Sequence, residues 1–332
     1  MAERNLIERL DEAIDAILAG RTVGRQSADQ QPIALTDPEL ATLLVVASDL
    51  RDLPDPKFKS RLRAELIKEE PVTSTVALAR MPGFHTVTPY LIARGAGDLI
   101  AFLRDAFGAE EIFRAPLPDG SVLHAEVKLG NSMIELGDAG EQWEPKPAAL
   151  HLYVDDVHGL YERAIAAGAT SIYAPVEQAY GDREAGVADR FGNQWFIARR
   201  LGPGTGPAPE GYWTVTQGLR VEGAERLLRF LKEAFAAEEL TRTARPDGTI
   251  AHAEMRIGDS ILEASEARPE WPAITTAIHL FVDDCDAVYA RAVRAGATSL
   301  MAPEDKHYGE RGAAVVDPFG NHWYLATPIA AT

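Results

Sequence analysis

The stretch FHTVTPYLIARGAGDLIAFLRDAFGAEEIFR, residues 84–114, is written a second time as YWTVTQGLRVEGAERLLRFLKEAFAAEELTR, residues 212–242. The two lines stay in step well beyond their ends. His124 matches His252 (252 − 124 = 128), and Trp143/Trp271, His151/His279, Tyr180/Tyr308 and Trp195/Trp323 keep that offset. A register held without a gap over so many residues marks a duplication, so the chain carries two domains of one fold. They are expected over 84–200 and 212–328. The segment LGPGTGPAPEG, 201–211, has Gly and Pro but nothing to bury, and reads as a linker.

Inside each copy the hydrophobic period changes from two to 3.6 and back. Thr86–Ile92 alternates as a strand, and Leu99, Phe102, Leu103 and Phe107 share one helical face. Strands are expected over Glu111–Ala115, Val122–Leu129 and Ser132–Leu136, with Pro118-Asp119-Gly120 and Gly130-Asn131 as turns. Leu150–Val154 opens the same series again, with a helix over Val157–Ala167 and three further strands. The expected class is α+β: two tandem copies of paired βαβββ modules, forming curved mixed sheets with concave cavities. Ahead of them, residues 1–70 show three amphipathic helical patterns, two opened by Asp-Pro, and 71–83 reads as a linker. The N-terminal helices are expected to pack on the duplicated body or to dock a protein partner.

Composition narrows the function. With 33 basic and 50 acidic side chains the net charge is −17, which disfavours nucleic acid and anionic membrane surfaces. A single cysteine, Cys285, excludes an intrachain disulfide framework and a thiolate zinc cluster. No uninterrupted apolar run has the length of a membrane span, and MAERNLIERLDEAID lacks a signal-peptide core. A soluble, cytoplasmic protein with a small-molecule ligand is expected.

HTVTPYL (85–91), FLRDAFGAEE (102–111), PDGSVLHAEVKLGNSMIELGD (118–138), HLYVDDV (151–157), AYGDR (179–183) and DRFGNQW (189–195) resemble the vicinal oxygen chelate superfamily. That is the glyoxalase, bleomycin-resistance and extradiol-dioxygenase group. The second copy repeats the motifs as LKEAFAAEE, PDGTIAHAEMRIGDSILEASE, HLFVDDC, HYGER and DPFGNHW. The resemblance implies a divalent metal (zinc, nickel, manganese or iron) held by one residue from each of four strands. Carried over position by position, these fall near Thr88 and Thr216, on Glu135 and Glu263, on His151 and His279, and on Phe196 and Tyr324. Only the Glu and His positions keep ligand chemistry. The resemblance also implies that sites are completed by paired modules, so the copies form an internal pseudo-dimer in which Glu135 can meet His279 and Glu263 can meet His151.

Glu135 and Glu263 lie in apolar strands, where a carboxylate needs a metal, a hydrogen-bond donor or a proton. They are the candidate catalytic groups, and with His151, His279 and His322 the candidate metal ligands. Alternation places His322 on the face of Tyr324, and His124 and His252 on the faces of Glu126 and Glu254. Of the two pockets, the one with His322 is expected to favour an ion. Tyr153, Phe196, Phe281 and Tyr324 would supply an aromatic lining, with Tyr90 beside them. Tyr180 and Tyr308 would stand at the cavity mouths with Arg183 and Arg311, which either clamp an oxyanion or pair locally with Asp189 and Asp317. His85 should face away. Two readings follow: a metal-free binder of a small organic molecule, or a metal-dependent lyase, isomerase or dioxygenase. The half-lost ligand set disfavours glyoxalase I activity itself.

Overall fold

A computed structural model describes residues 83–141, 143–202 and 206–329. The helical expectation for 1–70, and nearly all of the 71–83 segment, lies outside the described residues. The first copy runs β1 (Val87–Ala93), α1 (Ala96–Phe107), β2 (Glu110–Pro116), β3 (Val122–Leu129), β4 (Ser132–Asp138), β5 (Ala149–Tyr153), α2 (Val157–Ala166), β6 (Thr170–Glu177), β7 (Asp182–Ala188) and β8 (Gln194–Arg200). The second repeats it: β9 (Val215–Val221), α3 (Ala224–Phe235), β10 (Glu238–Ala244), β11 (Ile250–Ile257), β12 (Ser260–Glu266), β13 (Ala277–Phe281), α4 (Cys285–Arg294), β14 (Thr298–Lys306), β15 (Glu310–Val316) and β16 (His322–Pro328). The α+β class and the doubled βαβββ order are as the sequence predicts.

The strands join into two eight-stranded mixed sheets, and neither sheet belongs to one copy. The first has the order β14-β15-β16-β13-β1-β4-β3-β2, the second β10-β11-β12-β9-β5-β8-β7-β6. Each therefore joins the first half of one copy to the second half of the other. The seams are antiparallel: Thr88 of β1 faces His279 of β13, and Thr216 of β9 faces His151 of β5. A cavity belonging to a single copy does not form, because each central strand finds its partner in the other copy.

Side chains at the turns fasten the seams. Asn131 Oδ1 accepts from the Thr214 amide at 2.8 Å and Ser132 Oγ from the Val215 amide at 3.0 Å. Asp259 and Ser260 do the same for Thr86 and Val87, at 2.7 and 3.0 Å. His85 stacks on Trp213 with centroids 3.8 Å apart, and so faces away from both cavities as alternation requires. Gly130 turns with φ +61°, and a Cβ there would overlap Thr214 across the seam. Only glycine fits both demands.

The helices bury their apolar faces on one side of each sheet. Leu99 and Leu103 of α1 and Leu227 and Leu231 of α3 are fully enclosed. Neither α1 nor α3 has a side-chain cap of its own. A carboxylate from a strand end serves instead: Asp138 accepts from the Gly95 and Ala96 amides, and Glu266 from those of Gly223 and Ala224. A negative group there also complements the helix dipole. Asp156 and Asp284 cap α2 and α4 by accepting from Gly159 and Ala287. Trp195 and Trp323 fill the core, and each indole N–H donates to a buried aspartate, Asp189 at 3.0 Å and Asp317 at 3.1 Å. With helices covering one face, the other face of each sheet is left to carry chemistry.

Candidate functional site

On the open face of the second sheet, alternation lines up Thr216, Gly218 and Arg220 on β9, with His151 on β5, Phe196 on β8, Glu184 on β7 and Glu263 on β12. All of these but Thr216 surround a cavity of about 180 Å³, which Tyr173, Tyr180, His252 and Ser265 also line. His151 is held between two carboxylates: Nδ1 lies 2.5 Å from Glu263 and Nε2 lies 3.0 Å from Glu184. Burial alone would lower the imidazole pKa. The Glu263 charge and hydrogen bonds to both glutamates outweigh it and push the pKa up to about 10. His151 is thus an imidazolium at neutral pH, donating from both nitrogens. Burial works against ionisation of Glu184 too, but hydrogen bonds from His151, Tyr173 and Tyr180 leave its pKa below the ordinary glutamate value. The Tyr180 hydroxyl donates to Glu184 at 3.0 Å, and Tyr173 donates to the same oxygen.

The first sheet differs at the matching places. His279 Nδ1 meets both oxygens of Glu135, at 2.9 and 2.7 Å, and its pKa is raised by that carboxylate against the effect of burial. The counterpart of Glu184 is Gly312 (312 − 184 = 128), so no second glutamate arrives from that position. Instead Glu310, two residues back along β15, lies close enough to feel the His279 charge, while burial raises its own pKa. Where the second sheet has Gly218, the first has Tyr90. Its ring stands edge-on to Tyr324 at 5.3 Å, and a Cβ on Gly137 would lie 3.2 Å from its hydroxyl.

The donor set of the second sheet does not fit a bound metal. A histidine ligand must present a free ring nitrogen, and carboxylates take both nitrogens of His151. The remaining two positions are threonine and an aromatic side chain. Among the described residues no three or more His, Cys, Asp and Glu side chains are grouped to hold an ion. His322, whose pocket was expected to favour an ion, stands beside Lys146. Burial and the neighbouring Lys146 lower its pKa to about 4, and a positive neighbour opposes a cation. Its Nδ1 is buried without a hydrogen-bond partner.

Other predicted residues are dispersed. Arg183 pairs with Glu177 at 2.9 Å, and Arg311 with Asp286 and Asp305 at 2.7 and 3.0 Å. Neither reaches Asp189 or Asp317, because those aspartates are occupied by the Trp and Asn side chains of their own turns. Tyr180 and Tyr308 are both exposed, and the Tyr180 hydroxyl donates to Glu184. His252 lines the second cavity; His124 packs near Tyr90 and lies 3.5 Å from Glu126. Tyr153 is buried beside Tyr212, and Phe281 stacks on His279. Trp271 stands 5.9 Å from Phe196, and Trp143 6.0 Å from Tyr324. Sequence reasoning missed Glu184, Tyr173 and Arg220. Counting by twos from Thr216 finds Arg220, but the pairing of β6 and β7 that brings in Tyr173 and Glu184 has no local signal.

The doubled module matches known proteins. The family model of the Glyoxalase/Bleomycin resistance protein/Dioxygenase superfamily matches residues 84–197 and again 214–325, and the chain belongs to that superfamily. An uncharacterised protein of Mycobacterium bovis is 37% identical over 124 residues, covering 34% of this chain and 82% of the relative. One from Mycobacterium tuberculosis is also 37% identical, covering 34% of this chain and 73% of its own. Among solved structures, glyoxalase I from Zea mays aligns with a TM-score of 0.56 at 18% identity, covering 73% of this chain and 92% of the maize chain. Its E144Q variant aligns at 0.57, with 18% identity and 73% and 94% coverage. At such identity the likeness concerns the fold alone. Among the described residues, no helix is long and apolar enough to cross a membrane.

Proposed function

We propose that this protein binds a small organic molecule in the cavity of the second sheet and does so without a metal. The carrying observation is the carboxylate–imidazolium–carboxylate arrangement of Glu263, His151 and Glu184. It satisfies the two buried glutamates with protons and positive charge, the compensation that a metal would otherwise supply. What remains for a ligand is an aromatic wall of Phe196, Tyr173 and Trp271 with a few polar groups to orient the guest. The cavity volume is near the roughly 150 Å³ that accommodates benzene in an engineered apolar site, so a guest of about one ring is the right size.

A melting-temperature screen of single-ring organic compounds in the presence of EDTA tests this. Binding should raise the melting temperature of the full chain, and the Phe196→Ala variant should lose the response. Zinc, nickel, manganese or iron salts should leave the melting temperature unchanged. Stoichiometric metal in protein purified without metal-affinity steps, lost on Glu263→Ala, would overturn the proposal and favour the metal-dependent enzyme.

A further inference from the structure

Arg220 lies on the wall of the same cavity and is 7% exposed. Its Nε donates to the Pro272 carbonyl at 2.8 Å, one terminal nitrogen donates to Gln194 Oε1 at 2.6 Å, and the guanidinium lies 5.3 Å from the Trp271 ring centroid. All of these partners are neutral. Among the described residues no carboxylate pairs with it, and burial alone depresses its pKa. A guanidinium stays charged in a protein and is costly to bury without a counter-charge. The negative groups of this cavity do not supply one, since Glu184 and Glu263 are both turned to His151.

The other sheet holds its buried cation differently: beside His322, the counterpart of Gln194, stands Lys146, which feels the carboxylates of Glu144 and Asp317, whereas Arg220 has only neutral partners. The residue matching Arg220 is Ile92 (220 − 128 = 92), and the one matching Gly218 is Tyr90. At the same positions, then, one sheet has an apolar residue and a filling ring, the other a buried cation and open space. The pairing of an uncompensated charge with room beside it is what an anionic guest requires.

Resting on the reading that this cavity binds a small organic molecule, we propose that Arg220 receives the oxyanion of that molecule, so the ligand class is a compact organic acid of about one ring. The guanidinium presents its fork to the acid group, Trp271 and Gln194 hold it in place, and the ring of the guest lies along Phe196. Matching the charge on burial is the physical gain; in the first sheet the position is Ile92, and the nearby Lys146 already feels Glu144 and Asp317.

The test uses the full chain and matched probes: benzoate, benzamide and phenylphosphonate, titrated calorimetrically into the native protein and into Arg220→Met and Arg220→Lys. Benzoate or phenylphosphonate should bind once per chain and at least about tenfold more tightly than benzamide, equivalent to roughly 1.4 kcal/mol. Arg220→Met should erase that preference and Arg220→Lys should keep part of it. Without ligand, Arg220→Met should melt higher than the native chain, because an unpaired buried charge has been removed. Equal binding of benzoate and benzamide would overturn the oxyanion site while leaving the small-molecule reading standing. Failure of both acids while neutral ring compounds bind would do the same. Failure of acids and neutral compounds alike would overturn both. A lower melting temperature for Arg220→Met would mark the guanidinium as a brace of the fold and overturn the proposal independently of any probe.

Discussion

Raising the pH is the most direct probe of the Glu263–His151–Glu184 arrangement. The His151 pKa stands at about 10 in the folded chain against an ordinary 6.5. A group whose folded pKa is raised contributes stability that is complete below its unfolded pKa and is lost as pH climbs through the folded one. Between pH 6.5 and 10 the folded chain therefore holds one proton more than the unfolded chain, and stability falls by about 1.4 kcal/mol per pH unit. Summed over that window the loss is roughly 5 kcal/mol, taken as an upper bound. His279, raised in the same direction by Glu135, adds to it. The assay has two parts: unfolding by urea at steps from pH 6 to 10.5, and NMR titration of the His151 ring. The ring should remain an imidazolium far above pH 6.5, and in Glu263→Gln its midpoint should drop by at least about one unit. A His151 midpoint near 6.5 in the native chain, or stability flat across the window, would refute the reasoning.

Three further perturbations read the fold. Asp189→Ala leaves the Trp195 indole and Asn193 amide donors without their buried acceptor and should cost about 3 kcal/mol in urea unfolding, with Asp317→Ala matching it. Gly130→Ala, strained at φ +61° and overlapping Thr214 across the seam, should lower the melting temperature more than Gly120→Ala, where φ is +86° but no atom lies within 4 Å. Tyr90→Ala empties the place that Tyr90 fills beside Tyr324 and should cost roughly 3 kcal/mol, recoverable in part by a small aromatic solute that occupies the hole.

The duplication, the βαβββ order and the superfamily were legible in the chain because they rest on local periodicity and on a register that repeats without a gap. So were some of the faces: alternation put His322 on the side of Tyr324 and His252 on that of Glu254, and discarded His85. The pairs Glu135–His279 and Glu263–His151 were expected from the resemblance and are present; what was not readable was which further charges would join them. Glu184 looks like one acid in a polar strand until β7 brings it within 3.0 Å of His151. Arg220 looks like an ordinary strand residue until the seam encloses it.

The sequence by itself determined that there are two equivalent modules, because each element follows from residues adjacent in the chain. The family resemblance already implied that the copies complete each other's sites, Glu135 with His279 and Glu263 with His151; only the tertiary structure decided that Glu184 joins the second of these, and that the two open faces differ. Pairing across the seam sets His151 against Glu263 and His279 against Glu135, residues more than a hundred positions apart. Whether a buried carboxylate meets a proton, a guanidinium or a metal depends on what stands within a few ångströms of it, and distance in space is not written in the order of residues.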